Sequence, residues 1–287
     1  MATDTRTVIN YLEDNATFRA RGAGMAAQFD AIGFERTADT GQADWSTALM
    51  ADASSDLVWE IRKFSDSLQA TKPIYVKIWY KLGANPGYGY SQAQLDFQTG
   101  TGTNGSGALT GRVSARSGAY PYGSSGVSDE AYASHGEGWF HLAWGIHDGW
   151  TSGVFVAIER TGSDTTTPVL VVKTKADYAS APTYCCVTAE SGSGFSAQDL
   201  QGMRSMNMQP AVGSRVALWP YRYLVNGKER ASKFMIYKIS TMTERLAQVV
   251  KVNGADRTYM PLGNECGSVT GPSSVGGDQD GVAMLWE

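Results

Sequence analysis

The chain is short of charge, of cysteine and of long apolar runs, and each shortage removes a class of protein. Charged residues make up 18% of its 287 positions, below the roughly 25% of ordinary globular domains. Its basic residues form no block and its net charge is −4, so it carries no electrostatic footprint for nucleic acid. No stretch approaches the ~20 apolar residues of a membrane-spanning helix, so no membrane insertion is expected. The opening Met1-Ala2-Thr3-Asp4 has neither the charged nor the apolar region of a secretory signal, and synthesis in a cytoplasm is expected.

The three cysteines are Cys185, Cys186 and Cys266. Adjacent cysteines on an extended strand point to opposite faces. They make a poor disulfide and no C-x-x-C metal pair, and free buried thiols are expected. No G-x-S-x-G nucleophile elbow, H-E-x-x-H helix or EF-hand loop occurs. Histidine is limited to His135, His141 and His147. His141 and His147 share strand parity, but six extended residues place them roughly 20 Å apart. Zinc ligands sit about 2 Å from a shared ion, so no metal site is assigned. Gly100-Thr101-Gly102-Thr103-Asn104-Gly105 matches G-x-G-x-x-G. A dinucleotide fingerprint must open a helix, however, and loop then strand follow here, so no cofactor is assigned. The carboxylates Asp96, Glu137, Asp148 and Glu159 have no distinguishing context and are read as solvated strand residues.

Glycine (33 residues) and aromatics (11%) are abundant instead. Residues 16–33 carry one convincing helical pattern: Phe18, Gly22, Met25, Phe29 and Ile32 fall on a single stripe, with Asn15 as N-cap and Gly33 as C′ residue. From residue 56 the period becomes two. Val58, Glu60 and Arg62 alternate with Leu57, Trp59 and Ile61, and Ile74, Val76, Ile78 and Tyr80 alternate with Tyr75, Lys77, Trp79 and Lys81. Leu95, Phe97 and Thr99 oppose Gln94, Asp96 and Gln98 in a half-buried strand. Further strand patterns cover 138–146, 153–161, 168–174, 183–189, 215–225, 233–239 and 246–252. Asn226-Gly227 and Asn253-Gly254 mark hairpins. Segments 100–126, 190–214 and 263–281 read as loops by composition. The expected fold is mainly β, an antiparallel β-sandwich or jelly-roll-like body (residues 51–287) with a short N-terminal helix and docking segment (residues 1–50).

Low charge with many aromatics suits a surface covered by other subunits. Tyr88, Tyr90, Tyr120 and Tyr122 sit on Gly-rich loops and are candidate ligand or interface residues, since sugars stack on exposed aromatic faces. Trp144 is in phase with Phe140, Leu142 and Ile146, which assigns it to the core.

The order of several short motifs resembles a family of tailed-bacteriophage virion structural proteins. They are Phe29-Asp30-Ala31-Ile32-Gly33-Phe34, Arg36-Thr37-Ala38-Asp39-Thr40-Gly41-Gln42-Ala43-Asp44-Trp45, Trp59-Glu60-Ile61-Arg62-Lys63-Phe64, Pro73-Ile74-Tyr75-Val76-Lys77-Ile78, Gly100 to Gly107, and Ile158-Glu159-Arg160-Thr161. The resemblance covers most of the chain to about residue 165 and implies a tail, baseplate, fibre or head-decoration component. It implies no catalysis and brings no catalytic residue. Its partners would be other virion proteins and copies of itself, and its place would be the virion, after synthesis in the bacterial host cytoplasm. Phe18, Met25, Phe29, Ile32, Asp39, Gln42 and Trp45 are then the expected docking residues, packing on a neighbour or on the body's flank. The alternative is a lectin-like module that touches a host-surface glycan through the tyrosine loops. A glycan hydrolase is a third reading.

Overall fold

The computed structural model describes residues 7–10, 14–50, 56–85, 90–112, 116–119, 128–146, 154–160, 169–173, 184–187, 198–199, 218–225, 228–238, 247–262 and 280–287. In chain order, β1 (Thr7–Asn10) precedes the helix α1 (Asn15–Ala31), followed by β2 (Glu35–Arg36), β3 (Trp59–Lys63), β4 (Tyr75–Asn85), β5 (Tyr90–Thr103), β6 (Leu109–Arg112) and β7 (Ser117–Ala119). Next come β8 (Ser128–Gly136), β9 (Trp139–Ile146), β10 (Val154–Arg160), β11 (Val169–Lys173), β12 (Tyr184–Val187) and β13 (Gln198–Asp199). The last are β14 (Trp219–Val225), β15 (Lys228–Lys238), β16 (Gln248–Val252), β17 (Ala255–Pro261) and β18 (Asp280–Leu285).

The protein is mainly β, with three antiparallel sheets and an N-terminal helix. Sheet I has the order β1-β8-β9-β10-β11-β12, sheet II β2-β3-β4-β5-β6 with β7 also on β5, and sheet III β13-β14-β15-β18-β17-β16. Most neighbours in space are neighbours in sequence, which the short glycine-rich connections favour. The strands flanking the two Asn-Gly pairs read as hairpin turns do pair with each other: Val225 with Lys228, and Val252 with Ala255.

The helix begins one residue earlier than its pattern suggests. Asp14, rather than Asn15, is the N-cap, because its extended backbone lets Oδ1 accept the Thr17 N–H at 2.8 Å. It ends at Ala31, with Gly33 left-handed beyond it (φ 76°). Phe18, Met25, Phe29 and Ile32 are at most 3% exposed. They join Phe34 and side chains from sheets I and II in one core. Full burial of each such side chain contributes roughly 1.5–3 kcal/mol. Gly22 is on the same stripe because Trp45 lies against it, and a Cβ there would enter the indole ring.

Sheet I is covered on both faces. Phe140, Leu142, Trp144, Val156 and Ile158 point into the core shared with the helix and sheet II. On the opposite face, Trp139 packs with Met235, Tyr259, Ala283 and Leu285 of sheet III. Two polar contacts also join sheets I and III: Ser134 Oγ donates to the Leu285 carbonyl at 2.5 Å, and Lys233 N to Glu159 Oε2 at 2.8 Å. The Arg160 guanidinium holds Asp66 at 2.6 and 2.8 Å, tying β10 to the β3–β4 connection.

The glycine-rich stretch from residue 100 contains strands where composition suggests loop. Thr103 pairs with Leu109 across a tight turn, and Gly105, Gly107 and Gly111 take positive φ where the chain reverses or kinks. Of the other two composition loops, β13 lies within 190–214 and β18 begins within 263–281. The remainder of both is outside the described residues.

Candidate functional site

The two most distinctive motifs, Asp39-to-Trp45 and Gly100-to-Gly107, meet in space on β3. After β2 the chain stays beside β3 but bulges from it. Thr37 N donates to the Ile61 carbonyl at 2.9 Å and Ala43 N to the Trp59 carbonyl at 2.8 Å. Gln42 fills the gap with its side-chain amide: Oε1 accepts the Ile61 N–H at 2.8 Å, and Nε2 donates to the Thr37 carbonyl at 2.7 Å and the Asp39 carbonyl at 3.1 Å. One primary amide thus stands in for a peptide unit of the ladder, which requires both a donor and an acceptor.

Asp39 fastens this strap to the glycine loop. Its carboxylate accepts from Thr37 Oγ1 at 2.7 Å and from Gly107 N at 3.2 Å, while Thr40 N donates to the Gly105 carbonyl at 2.9 Å. Burial raises the Asp39 pKa, but the hydrogen bonds from Thr37, Gly107, Thr103 and Gly105 outweigh it and hold the carboxyl below its ordinary value. The loop resembling a phosphate cradle does receive an anion, namely the protein's own carboxylate. Inside the loop, Asn104 Oδ1 accepts from Ser106 N at 2.9 Å and Ala108 N at 3.0 Å. Gly107 must be glycine, for its φ is 89° and a Cβ would enter the Trp59 ring.

Beneath the strap lies a buried ionic cluster. On β3 two charged residues face inward: Glu60 and Arg62 are both 0% exposed and have the same strand parity as Val58 and Phe64. Glu60 accepts from Trp45 Nε1 at 2.7 Å, from Arg62 Nε at 3.0 Å and Nη2 at 2.8 Å, and from Tyr80 OH at 3.4 Å. Arg62 also donates to Asp30, to the Phe34 carbonyl at 2.9 Å and to the Ala26 carbonyl at 3.3 Å. Burial lowers the Arg62 pKa, but Glu60, Tyr80 and Asp30 more than restore it. Burial beside Glu60 pushes the Tyr80 phenol well above its ordinary value. The cluster therefore contains a permanent cation, an acceptor with four donors, and a phenol that keeps its proton.

On the other face of sheet II, Trp59 and Trp79 are cross-strand partners. Lys77 Nζ lies 4.0 Å from the Trp59 ring centre and 4.8 Å from that of Trp79. Arg116 covers Trp79 at 4.1 Å, while donating to both Asp56 oxygens and to Asp96, each at 2.7 Å.

The expected docking residues thus fall inside this chain. Phe18, Met25, Phe29 and Ile32 are core, Asp39 and Gln42 build the strap, and Trp45 packs on Phe18 and Tyr80 as it reaches Glu60. Tyr88, Tyr120 and Tyr122 lie outside the described residues. Tyr90 opens β5 opposite Asn85, but its side chain is outside them too. Trp144 is core, as its phase indicates.

Two carboxylates read as solvated are not. Asp96 is 4% exposed because Arg116 covers it, and Glu159 is 1% exposed because it accepts from His141 Nε2 (2.7 Å) as well as from Lys233 N. Glu137 is an exposed turn residue bonded to Ser67, and Asp148 and His147 are outside the described residues. Sequence reasoning missed Glu60 and Arg62 as a site, although their parity with Val58 and Phe64 places them on a core face. Among the described residues, no three His, Cys, Asp or Glu side chains gather to hold a metal, and no helix is long and apolar enough to cross a membrane.

The polar groups of this arrangement are bonded to one another within the chain. Glu60 is enclosed by its donors, Asp39 is held by hydroxyl and amide, and Gln42 is consumed by the ladder. No family model, curated protein or solved structure matches the chain.

Proposed function

We propose that this protein is a structural component of a tailed-phage virion, assembling with copies of itself and with other virion proteins in the tail, baseplate or fibre region or on the head. One observation supports this reading above the others: three of the six motifs that carry the resemblance, Arg36 to Trp45, Trp59 to Phe64 and Gly100 to Gly107, converge on a single internal fastening built from Asp39, Gln42, Trp45, Glu60, Arg62 and Gly107. Motifs spent on holding a scaffold fit a protein whose task is mechanical. Saturated buried networks also specify one packing arrangement, which a subunit repeated in a particle needs.

Partner contacts must then come from other surfaces than the helix stripe. Leu49, Met50, Leu57 and Val249 are exposed apolar side chains at 64, 41, 79 and 68%, and interfaces recruit such positions. The lectin-like alternative depends on tyrosine side chains outside the described part of the structure.

The test is the protein composition of purified particles, followed by labelled-antibody electron microscopy. The reading expects the protein in the particle, with label at the tail end or over the capsid, or shielded at an internal joint. Absence from purified particles overturns it.

A further inference from the structure

The dipeptide Asn-Gly occurs in two exposed turns of the described structure that differ in their hydrogen bonding. Asn104-Gly105 is held. Asn104 Oδ1 accepts from Ser106 N and Ala108 N, its backbone N–H donates to the Ala108 carbonyl at 3.0 Å, and Gly105 N donates to Thr103 Oγ1 at 3.3 Å. Asn253-Gly254 forms the two-residue turn between β16 and β17, with φ of 51° and 83°. Both residues are exposed. The ladder closes through Val252 and Ala255, leaving the Gly254 N–H outside it. Among the described residues the Asn253 amide has no hydrogen-bond partner, and this is what separates the two turns, since the Cβ positions of Gly105 and Gly254 both face open space.

We propose that Asn253 is a site of spontaneous deamidation and isoaspartate formation, and that Asn104 is protected from the same reaction by the loop around it. The Gly254 nitrogen attacks Asn253 Cγ, a C–N bond forms, and the bond from Cγ to the side-chain nitrogen breaks. That nitrogen leaves as ammonia, carrying the proton lost by Gly254. Water then opens the cyclic imide at one of its two carbonyls, giving aspartate or isoaspartate, with no change of oxidation state. At Asn253 the electrophile can rotate and the nucleophile is unshielded. At Asn104 the same approach breaks the two bonds to Oδ1 and the one from Gly105 N.

The position gives the reaction a structural consequence. β16 ends the strand order of sheet III, and its outward residues Val249 and Lys251 are exposed. A new carboxylate at 253 lies near Asp256, the partner of Lys251 at 2.7 Å. Isoaspartate also adds a main-chain methylene to a turn whose length sets the register of Val252 on Ala255. Conversion therefore loosens the edge strand of sheet III as the protein ages.

The test is peptide mapping by mass spectrometry of the full-length protein, aged at mildly alkaline pH, with isoaspartyl methylation as a second readout. The Asn104 peptide is the internal reference, and a urea-unfolded sample is the control for intrinsic reactivity. The expected result is conversion several-fold faster at Asn253 than at Asn104 in the folded protein, convergence of the two rates in urea, and loss of the signal from that peptide in Asn253→Gln. Equal or slower conversion at Asn253 in the folded protein overturns the proposal, as does an Asn253 that converts only when unfolded. The wild-type comparison stands whether or not the variant folds.

Discussion

Gln42 completes the hydrogen bonding of Ile61: its Oε1 takes the Ile61 N–H at 2.8 Å where no neighbouring strand supplies a carbonyl. Ile61 is 0% exposed, so water cannot substitute. Gln42→Ala is expected to cost about 1–3 kcal/mol, the penalty of an orphaned buried N–H. Gln42→Glu keeps the acceptor but turns the Nε2 donor into an oxygen facing the Thr37 carbonyl, and is expected to destabilise as well. Urea unfolding of the two variants measures both.

Glu60 and Arg62 form a pair whose members cannot be removed singly without penalty. Arg62→Met leaves Glu60 buried with only Trp45, Tyr80 and the more distant Arg36 (3.7 Å). Loss of one partner of a buried ion pair costs about 3–5 kcal/mol. The double variant Glu60→Leu/Arg62→Met removes both charges and is expected to be more stable than Arg62→Met alone. A double-mutant cycle on unfolding free energies reads the difference.

Gly22→Ala is expected to destabilise, against the helix-propensity gain of nearly 1 kcal/mol that the substitution normally brings. The added methyl meets the Trp45 ring, and overpacking costs about 1–3 kcal/mol. Thermal unfolding checks the sign, and Trp45 fluorescence reports whether the indole has moved.

His135 makes stability fall in acid. Its ring lies between Phe34 and Phe64, with Nδ1 against the Ile32 carbonyl at 3.3 Å. Burial lowers its pKa from 6.5 to about 4. The unfolded chain therefore takes up a proton before the folded one, and stability present above pH 6.5 is lost as pH falls toward 4. The difference corresponds to roughly 3 kcal/mol. His135→Phe is expected to flatten the pH dependence of unfolding in that window, whatever its effect at pH 7.

Much of this fold is legible in the sequence because its cues are local. The period-two runs overlap β3 to β5, β9 to β12 and β14 to β16, the Asn-Gly pairs give two hairpins, and one stripe gives the helix, whereas β1, β2, β8 and β18 lie outside the strand patterns. The fastening is not legible in the same way. Asp39 and Gly107 are 68 residues apart and are joined by a backbone N–H, which no side-chain pattern announces. Asp96 and Glu159 look like solvated strand residues because the cover that buries them, Arg116 and His141, comes from elsewhere in the chain. The helix stripe was readable as apolar, but what it packs on depends on the tertiary arrangement.

The central claim is that residues 14–45 are part of the fold rather than a detachable docking arm. The direct test is to remove residues 1–45 and follow urea unfolding of the remainder by tryptophan fluorescence and circular dichroism. Loss of Phe18, Met25, Phe29, Ile32, Phe34 and Trp45 takes the centre out of the shared core. The predicted result is a chain with no cooperative transition. A truncated protein that unfolds cooperatively at near full-length stability would contradict the claim and return the N-terminal segment to a docking role.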